Sequence, residues 1–239
     1  AAISKAGGAT AMCLAESVRT GKSGYQPHCA NEWIHGLCAK PRVKCKDCPN
    51  RELIPVTDET IRDHLTGSVP GSRRDFTIGA YPLLQDDTCW FVAADFDKEG
   101  WQEDVRAFRH TCRQFGIPVG VERSRSGNGA HAWVFFSEAI PARLARQLGC
   151  ALITETMERR PEVGLDSYDR LFPNQDTVPQ GGFGNLIALP LQARPRAAGN
   201  SVFVDDDLRP YDDQWAFLSS LPRVSRSEVE ALVAGAARK

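Results

Sequence analysis

The run CWFVAADFD, residues 89–97, constrains the fold of this chain more than any other segment. Its first six residues are apolar, which is typical of a central strand that is covered on both faces. Asp95 and Asp97 follow with only Phe96 between them, and residues at i and i+2 of a strand project from the same face. Two carboxylates side by side in apolar surroundings are unfavourable unless a positive group lies between them. The segment therefore predicts a central strand whose end holds a cation.

The chemistry of carboxylates indicates which cation to expect. Oxygen ligands select magnesium or manganese. Two such ions about 4 Å apart clamp the attacking and leaving oxygens of a phosphoryl transfer. Acid pairs also end many strands where they only cap turns or remain solvated. The interpretation of Asp95 and Asp97 as metal ligands therefore depends on partners elsewhere in the chain.

The segment ERSRSGNGAHAW, residues 122–133, supplies candidate partners. Its turn offers backbone N–H groups from residues 127–129, hydroxyls from Ser124 and Ser126, and the cation of Arg125, which together suit a phosphate group. His131 opens the next strand, from where its ring can reach the same cleft and donate to a phosphate oxygen. A single histidine at a strand start is more often structural, but beside a glycine turn and an acid pair we interpret it as functional.

From residue 76 onward the pattern is that of a mixed α/β (α+β) domain. Trp101, Val105, Phe108 and Cys112 recur at helical spacing and predict a helix that ends at Gly116. The other predicted elements are a hairpin of strands over 117–124 and 130–137, a helix over 141–160, an irregular segment or short strand over 164–176, a strand over 184–192, a polar surface loop over 202–213, and a last helix that opens with the capping-box residues Ser225 and Glu228.

Four cysteines form a cluster near the start of the chain. Cys29, Cys38, Cys45 and Cys48 follow the spacing C-x8-C-x6-C-x2-C. The closing C-x2-C pair is the knuckle that presents two thiolates to one tetrahedral ion, so the set predicts structural zinc. Alternative ligand sets replace a thiolate by His28 or His35.

Basic residues crowd the same cysteine-containing segment. They are Lys40, Arg42, Lys44 and Lys46. They fit either a nucleic-acid contact or a solvated face of the module.

We predict three regions along the chain. Residues 1–24 form a poorly packed lead-in or one short helix, and residues 25–75 form the zinc module with a short helix between Asp58, as N-cap, and Gly67. Residues 76–239 form the catalytic core. Cys13, Cys89, Cys112 and Cys150 stand singly, and we expect them in the core.

The composition is that of a globular protein. The 239 residues are 42% hydrophobic and 25% charged, with a net charge of −1 that neither indicates nor excludes a nucleic-acid partner. No run of about 18 apolar residues could span a bilayer, and no signal peptide is evident, so we expect a cytoplasmic protein without a membrane partner. Because the chain lacks an initiator Met, we expect it to be a domain of a larger multidomain protein.

The order of these motifs resembles that of the archaeo-eukaryotic primase superfamily, the primase-polymerases. The motifs are VAADFD, then SGNGAH, then SYDRLFPNQD followed by GGFGNLIALPLQ. Within the superfamily they are similar to the primase domains of TOTE-type conflict systems and of CRISPR-associated primase-polymerases, which also carry a cysteine cluster before the catalytic core. The resemblance covers roughly residues 25–220.

The resemblance implies roles for individual residues. Asp95 and Asp97 match the metal-binding pair of the first motif, and His131 matches the histidine that contacts the triphosphate of the incoming nucleotide. Arg125, Ser126 and Asn128 are implied as its neighbours in nucleotide binding.

Two positions are less directly implied by the resemblance. The third acidic ligand is expected at Asp169, which precedes RLFPNQ, with Asp166 and Asp176 as alternatives in the same window. Many relatives have serine two residues before the histidine, whereas this chain has Gly129. That difference leaves the local hydroxyl contact open.

The implied fold is the primase core, in which a sheet-and-helix unit packs against an RRM-like unit with the cleft between them. The implied reaction is template-directed nucleotidyl transfer that makes and extends primers on single-stranded DNA from nucleoside triphosphates, with two Mg²⁺ or Mn²⁺ ions. The zinc module would grip the template or the first nucleotide. The alternatives are a metal-dependent nuclease and a non-catalytic zinc module that binds nucleic acid.

Overall fold

The computed structural model describes residues 12–16, 23–27, 29–52, 56–68, 76–161, 164–179 and 184–236. The strands are β1 (Met12–Glu16), β2 (Ser23–Pro27), β3 (Ile78–Ala80), β4 (Thr88–Asp97), β5 (Gly120–Arg123), β6 (Gly129–Pro141), β7 (Tyr168–Phe172), β8 (Ile187–Ala188) and β9 (Val202–Val204). The α-helices are α1 (Asp58–Thr66), α2 (Trp101–Gln114), α3 (Ala142–Arg159), α4 (Ala193–Ala197), α5 (Gln214–Ser220) and α6 (Arg226–Ala236).

The described strands form two antiparallel sheets. The large sheet has the order β7-β4-β6-β5-β9, and the small sheet has the order β2-β1-β3-β8. In the large sheet β4 pairs with β7 on one side and β6 on the other, so it is internal, as its apolar sequence predicts. The prediction of a mixed α+β fold is confirmed, whereas the RRM-like unit and the zinc module stay predictions.

The two faces of the large sheet have different neighbours because side chains alternate along each strand. Val92, Ala94 and Phe96 point to the face that α2 and α3 cover, and the ring of Phe96 lies 5.5 Å from that of Phe108. Phe91 and Ala93 point to the opposite face and belong to a second core cluster that includes Ile187 of β8 in the small sheet. The alternation therefore directs Asp95 and Asp97 to the face opposite α2 and α3.

The N-terminal region differs from its prediction. Strand β1 pairs with both β2 and β3, so the alternative of one short helix within residues 1–24 is wrong for residues 12–16 and 23–24. Glycine and alanine content suggested weak structure there, but pairing with a distant strand is a long-range effect that local composition does not report. The division into three regions stays a prediction.

The N-cap of helix α1 lies one residue before the predicted cap. The N-cap is Thr57, whose hydroxyl accepts a hydrogen bond from the N–H of Thr60 at 3.2 Å, and Asp58 is the first helical residue. The threonine hydroxyl satisfies a backbone donor that the helix leaves open, while Asp58 in the first turn interacts favourably with the helix dipole. Gly67 ends the helix in the left-handed conformation, with φ of 70°, as predicted.

The remaining predictions are mostly confirmed. The predicted hairpin is β5–β6, the two long helices are α2 and α3, and Ser225 and Glu228 cap α6. Within 184–192 only Ile187–Ala188 is a strand. The surface-loop interpretation of 202–213 is wrong at its start, because Val202–Val204 is the buried strand β9.

Two of the single cysteines have the expected burial. Cys89 and Cys112 are buried, whereas Cys150 is exposed on α3, so the core prediction is wrong for that residue. The side chain of Cys13 and all of His28 lie outside the described parts of the chain.

No helix in the described ranges is both long enough and apolar enough to cross a bilayer. The cytoplasmic location stays a prediction.

Candidate active site

The end of β4 carries the acid pair. Asp95 lies directly opposite His131 of β6 in the strand register, and Asp97 lies opposite Gly129. Directly opposed residues share a face, so Asp95, His131 and the next residue on that face, Trp133, line one surface. The side chain of Asp95 is 19% exposed, and Asp97 is exposed. The pair therefore lies where an internal strand opens to solvent.

Asp169 approaches this pair through a β-bulge. Arg170 of β7 pairs with Asp95 and Tyr168 pairs with Phe96, which leaves Asp169 as an extra residue between two registered pairs. A bulge of this kind re-aims a side chain and is common beside active sites. The Nε–H of Arg170 donates to Asp169 Oδ2 at 2.5 Å. The guanidinium therefore supplies positive charge to the third acid.

The charges of the site act on Asp95. Burial raises the pKa of its carboxyl, and the negative charges of Asp97 and Asp169 raise that pKa further. The positive charges of His131 and Arg170 oppose the rise. The ionised form of Asp95 is thus disfavoured by its neighbouring acids, which is the situation that a bound divalent cation relieves.

His131 is held between two carboxylates. Its Nδ1 lies 3.0 Å from Glu122 Oε2, and its Nε2 lies 3.5 Å from Asp95 Oδ1. Burial by itself lowers the pKa of His131, but the hydrogen bond to Glu122 and the charges of Glu122, Asp95 and Asp97 outweigh burial and raise it. The protonated imidazole is a donor that suits a phosphate oxygen.

The turn between β5 and β6 is closed by its own hydrogen bonds. The N–H of Ser124 donates to the carbonyl of Gly129 at 2.8 Å, and the N–H of Gly127 donates to the carbonyl of Ser124 at 3.0 Å. The N–H of Asn128 donates to Ser126 Oγ at 3.2 Å. Two amides of the predicted phosphate cradle are therefore engaged within the turn, so hydroxyl groups and Arg125 are its more accessible polar groups.

Arg125 lies in the turn and is exposed. It forms no hydrogen bond or ion pair with any residue that the structure describes. Its guanidinium is therefore available to an anion in solution.

Gly129 is where the chain departs from the serine of many relatives. A Cβ at this position would lie 2.5 Å from the backbone oxygen of Phe96 and 3.3 Å from Ser124 Oγ. The close approach of β4 and β6 leaves no room for a side chain. The hydroxyl of Ser124 is the side-chain hydroxyl nearest to this position.

Asp104, in the first turn of α2, holds the backbone next to the acid pair and next to Asp169. Its Oδ2 accepts hydrogen bonds from the N–H and the hydroxyl of Ser167, at 3.0 and 2.6 Å. The carbonyl of Ser167 accepts from the N–H of Asp97 at 2.6 Å. Because Ser167 precedes Asp169 by two residues, one buried carboxylate fixes the backbone on both sides of the acid cluster.

The alternative third acids have different surroundings. Asp166 is exposed in the turn before β7, and Asp176 is ion-paired with Arg146 of α3. The acids that raise the pKa of Asp95 are Asp97 and Asp169. Asp169 is thus the acid of this window whose charge acts on Asp95, and its role as the third ligand stays a prediction.

The four cysteines line one small cavity of about 20 Å³. All four are free thiols of intermediate burial, and Cys29 Sγ accepts a hydrogen bond from the N–H of Glu52 at 3.3 Å. His35 is exposed. Within the described residues, however, no group of three or more His, Cys, Asp or Glu side chains is arranged to hold a metal ion. Zinc at the cysteines stays a prediction, as do divalent ions at the acids.

A family model described as the archaeo-eukaryotic primase domain of TOTE conflict systems matches residues 14–232. The chain belongs to this family. The resemblance drawn from the motifs is confirmed, and it begins farther toward the N-terminus than the motifs indicate. Membership makes the chain one of the primase-polymerases, a group of nucleotidyltransferases.

Among solved structures, the polymerase domain of Mycobacterium tuberculosis ligase D in complex with DNA is similar to this chain. The two share 15% identity, and the alignment covers 99% of this chain and 84% of that chain with a TM-score of 0.44. A search of curated proteins gave no significant match.

The motifs of this primase domain did not reveal the residues that support the site. Glu122, Asp104 and Arg170 were not singled out from the sequence. The sequence does contain a signal for Glu122, because the short turn between β5 and β6 sets a register in which Glu122 lies opposite His131. No local signal marks Asp104, because it lies on a helix and reaches a residue 63 positions away.

Proposed function

We propose that this chain is a template-directed nucleotidyltransferase that synthesises and extends primers on single-stranded DNA from nucleoside triphosphates. The observation that carries the proposal is the arrangement of Asp95, Asp97, Asp169 and His131. Three acids from two adjacent strands interact on one face, and a histidine from the third strand lies 3.5 Å from the central acid. Family membership supports the same reaction class.

The donor chemistry at the acids fits magnesium or manganese. Carboxylate oxygens are the ligands that both ions prefer. Burial and the repulsion from Asp97 and Asp169 raise the pKa of Asp95, and a bound cation would favour its ionised form. When bound, two such ions would activate the attacking 3′-hydroxyl and stabilise the leaving pyrophosphate. Asp95, Asp97 and Asp169 would hold them, which requires Asp169 to exchange its ion pair with Arg170.

The groups around the hairpin turn fit the triphosphate of the incoming nucleotide. His131 and the exposed guanidinium of Arg125 supply positive charge, and Ser126 supplies a hydroxyl. Asn128 is exposed beside them. These cations and donors bind and orient the phosphates, while the acids of β4 and β7 lie on the side of the metal ions. A nuclease has no need of such a set of phosphate donors.

The cysteine segment fits a contact with the unpaired template strand. Trp33 is 68% exposed, and the ammonium of Lys40 lies 5.6 Å from its ring centroid. Arg42 and Lys44 are exposed in the same segment. Exposed aromatic rings beside basic residues stack on bases and attract the phosphate backbone. The four cysteine side chains around the shared cavity match the ligand set of structural zinc, which would fold this segment.

The test is synthesis without a primer. The protein is incubated with a single-stranded template, labelled nucleotides and Mg²⁺ or Mn²⁺, and products are resolved on a gel. We expect dinucleotides and longer products, and extension of a supplied primer. If neither reaction occurs, the polymerase proposal is wrong. Shortening of the template would favour the nuclease, and template binding without either reaction would favour the non-catalytic module.

Matched variants test which acids act as metal ligands. Asp95→Asn, Asp97→Asn and Asp169→Asn are each expected to lower synthesis by at least about a hundredfold, because each removes a charge from the metal site. Asp176→Asn is the control, since its ion pair with Arg146 lies outside the cluster. If Asp169→Asn is as active as the wild type and Asp166→Asn loses activity, the third ligand is Asp166 and not Asp169.

A further inference from the structure

Glu122 is a buried carboxylate in the middle of the large sheet. It is 1% exposed and belongs to β5, where it lies opposite His131 on one side and Phe203 on the other. Glutamate is rarely so deeply buried unless it is paired. Neither the family motifs nor the proposed reaction has so far given this residue a role.

Both oxygens of Glu122 accept hydrogen bonds. Oε2 accepts from the indole N–H of Trp133 at 3.0 Å and lies 3.0 Å from Nδ1 of His131. Oε1 accepts from the hydroxyl of Ser201 at 3.2 Å, and that hydroxyl in turn accepts from the N–H of Gln192 at 3.2 Å. The carboxylate thus contacts the ring of His131 and is also bound by the indole of Trp133 and the hydroxyl of Ser201.

The energetics favour a role beyond packing. A buried ionic group is often no more stabilising than an apolar residue of similar volume, so stability alone gives little reason for a carboxylate here. Among the described residues, His131 is the one that forms an ion pair with Glu122. The negative charge of Glu122 is therefore paired with the histidine that the proposed reaction uses to bind phosphate.

We propose that Glu122 is a positioning residue for nucleotide binding, which holds the Nδ1–H of His131 so that Nε2 faces Asp95 and the triphosphate. The proposal rests on the proposed function for its effect on nucleotide binding, but the contact with the ring can be measured by itself. A carboxylate on one ring nitrogen fixes which nitrogen carries the proton and how the ring is turned. Two further donors fix the carboxylate in turn: Ser201 donates to Oε1, and Trp133 donates to Oε2, the oxygen that also contacts His131.

The first experiment observes the imidazole directly by long-range ¹H–¹⁵N NMR at one fixed pH. The signals of His131 are assigned by their absence in His131→Asn. We expect Nδ1 to be protonated in the wild type and this preference to be lost in Glu122→Leu. Unchanged ring signals in Glu122→Leu would overturn the proposal. This readout needs no polymerase activity.

The second experiment separates binding from chemistry. Glu122→Gln keeps the shape of the side chain but replaces one acceptor oxygen by a donor, so it cannot accept from all three partners. We expect KM for the nucleotide to rise about 10- to 100-fold, as is usual when a partner that orients a functional histidine is lost, with a smaller change in kcat. In a His131→Ala background the same substitution should add no further loss, because Glu122 acts through that ring.

The matched control is Glu155→Gln, which changes another buried glutamate, on α3, whose partner is Arg159. Its KM should equal that of the wild type. A Glu122→Gln protein that melts at a lower temperature but keeps the wild-type KM would make Glu122 purely structural, and additive losses with His131→Ala would have the same meaning. If the wild type makes no product and binds no nucleoside triphosphate in calorimetry, the proposed function fails, while the NMR result still decides the Glu122–His131 contact.

Discussion

Gly129 offers the sharpest test of how the two central strands hold the site. Replacing it by alanine, or by the serine of many relatives, puts a Cβ 2.5 Å from the carbonyl oxygen of Phe96. Real Cβ atoms essentially never approach closer than 3.0 Å, and ordinary contact begins at 3.4 Å. The strands would therefore have to separate by about 0.5–0.9 Å. The contacted atom belongs to the backbone, so no side-chain rotation relieves the clash.

The expected cost follows from that displacement. Overpacking that forces a backbone shift costs typically about 1–3 kcal/mol of unfolding free energy. The displaced strands are those that hold Asp95 and His131 with 3.5 Å between Oδ1 and Nε2. Because misplacement by about 1 Å can cost a hundredfold in rate, we expect Gly129→Ala to lose at least about tenfold in primer extension.

The assays are urea unfolding and primer extension on the same preparations. Gly235→Ala is the control, since no atom lies within 4 Å of its added Cβ in α6, and it should be neutral or stabilise the protein by up to about 1 kcal/mol. If Gly129→Ala unfolds within about 0.5 kcal/mol of the wild type and extends primers within twofold, the strands do not approach as closely as described, and the reasoning fails.

Three further predictions concern stability and metal. Arg113 and Arg109 hydrogen-bond Asp206 and lower its pKa from 3.8 to about 2. Its carboxylate is 63% exposed, so screening reduces the stabilisation to about 1 kcal/mol. The Asp206→Asn protein should lack that stabilisation above pH 4, and the difference from the wild type should vanish as the pH falls through 2; a difference that persists below pH 2 contradicts the ion pairs. Asp104→Ala leaves the N–H of Ser167 buried without its acceptor, so it should cost about 1–3 kcal/mol in urea unfolding and slow primer extension, and unchanged extension would remove Asp104 from the support of the acids. Elemental analysis should find about one zinc per chain, bound by the cysteine cluster, and a metal-free preparation whose cysteine segment stays folded would exclude zinc as its organiser.

Local patterns predicted the parts of the site that a few consecutive residues encode. The apolar run before Asp95 required an internal strand, and the spacing of Asp95 and Asp97 required a shared face. The glycine-rich turn predicted the hairpin that brings His131 into the same sheet. These predictions held because a turn of few residues fixes the register of the strands that it joins.

Long-range pairing escaped the same reasoning. The strand β1 was predicted as part of a lead-in, because its pairing partner β3 lies about 65 residues farther along the chain. The strand β9 was interpreted as part of a loop, although Val204 pairs with Val121. Short strands of three to five residues carry too little periodicity to be recognised without their partners.

The sequence by itself determined the residue types of the site and their order along the chain. Two acids on a central strand, a histidine after a glycine turn and a later acid indicated the primase family before any fold was known. What only the tertiary structure decided is how these groups are held: the bulge that directs Asp169 toward Asp95, the buried Glu122 behind His131, and Asp104 beneath Ser167. Each of these depends on a register or a contact between distant segments, which packing fixes and which no local spacing encodes.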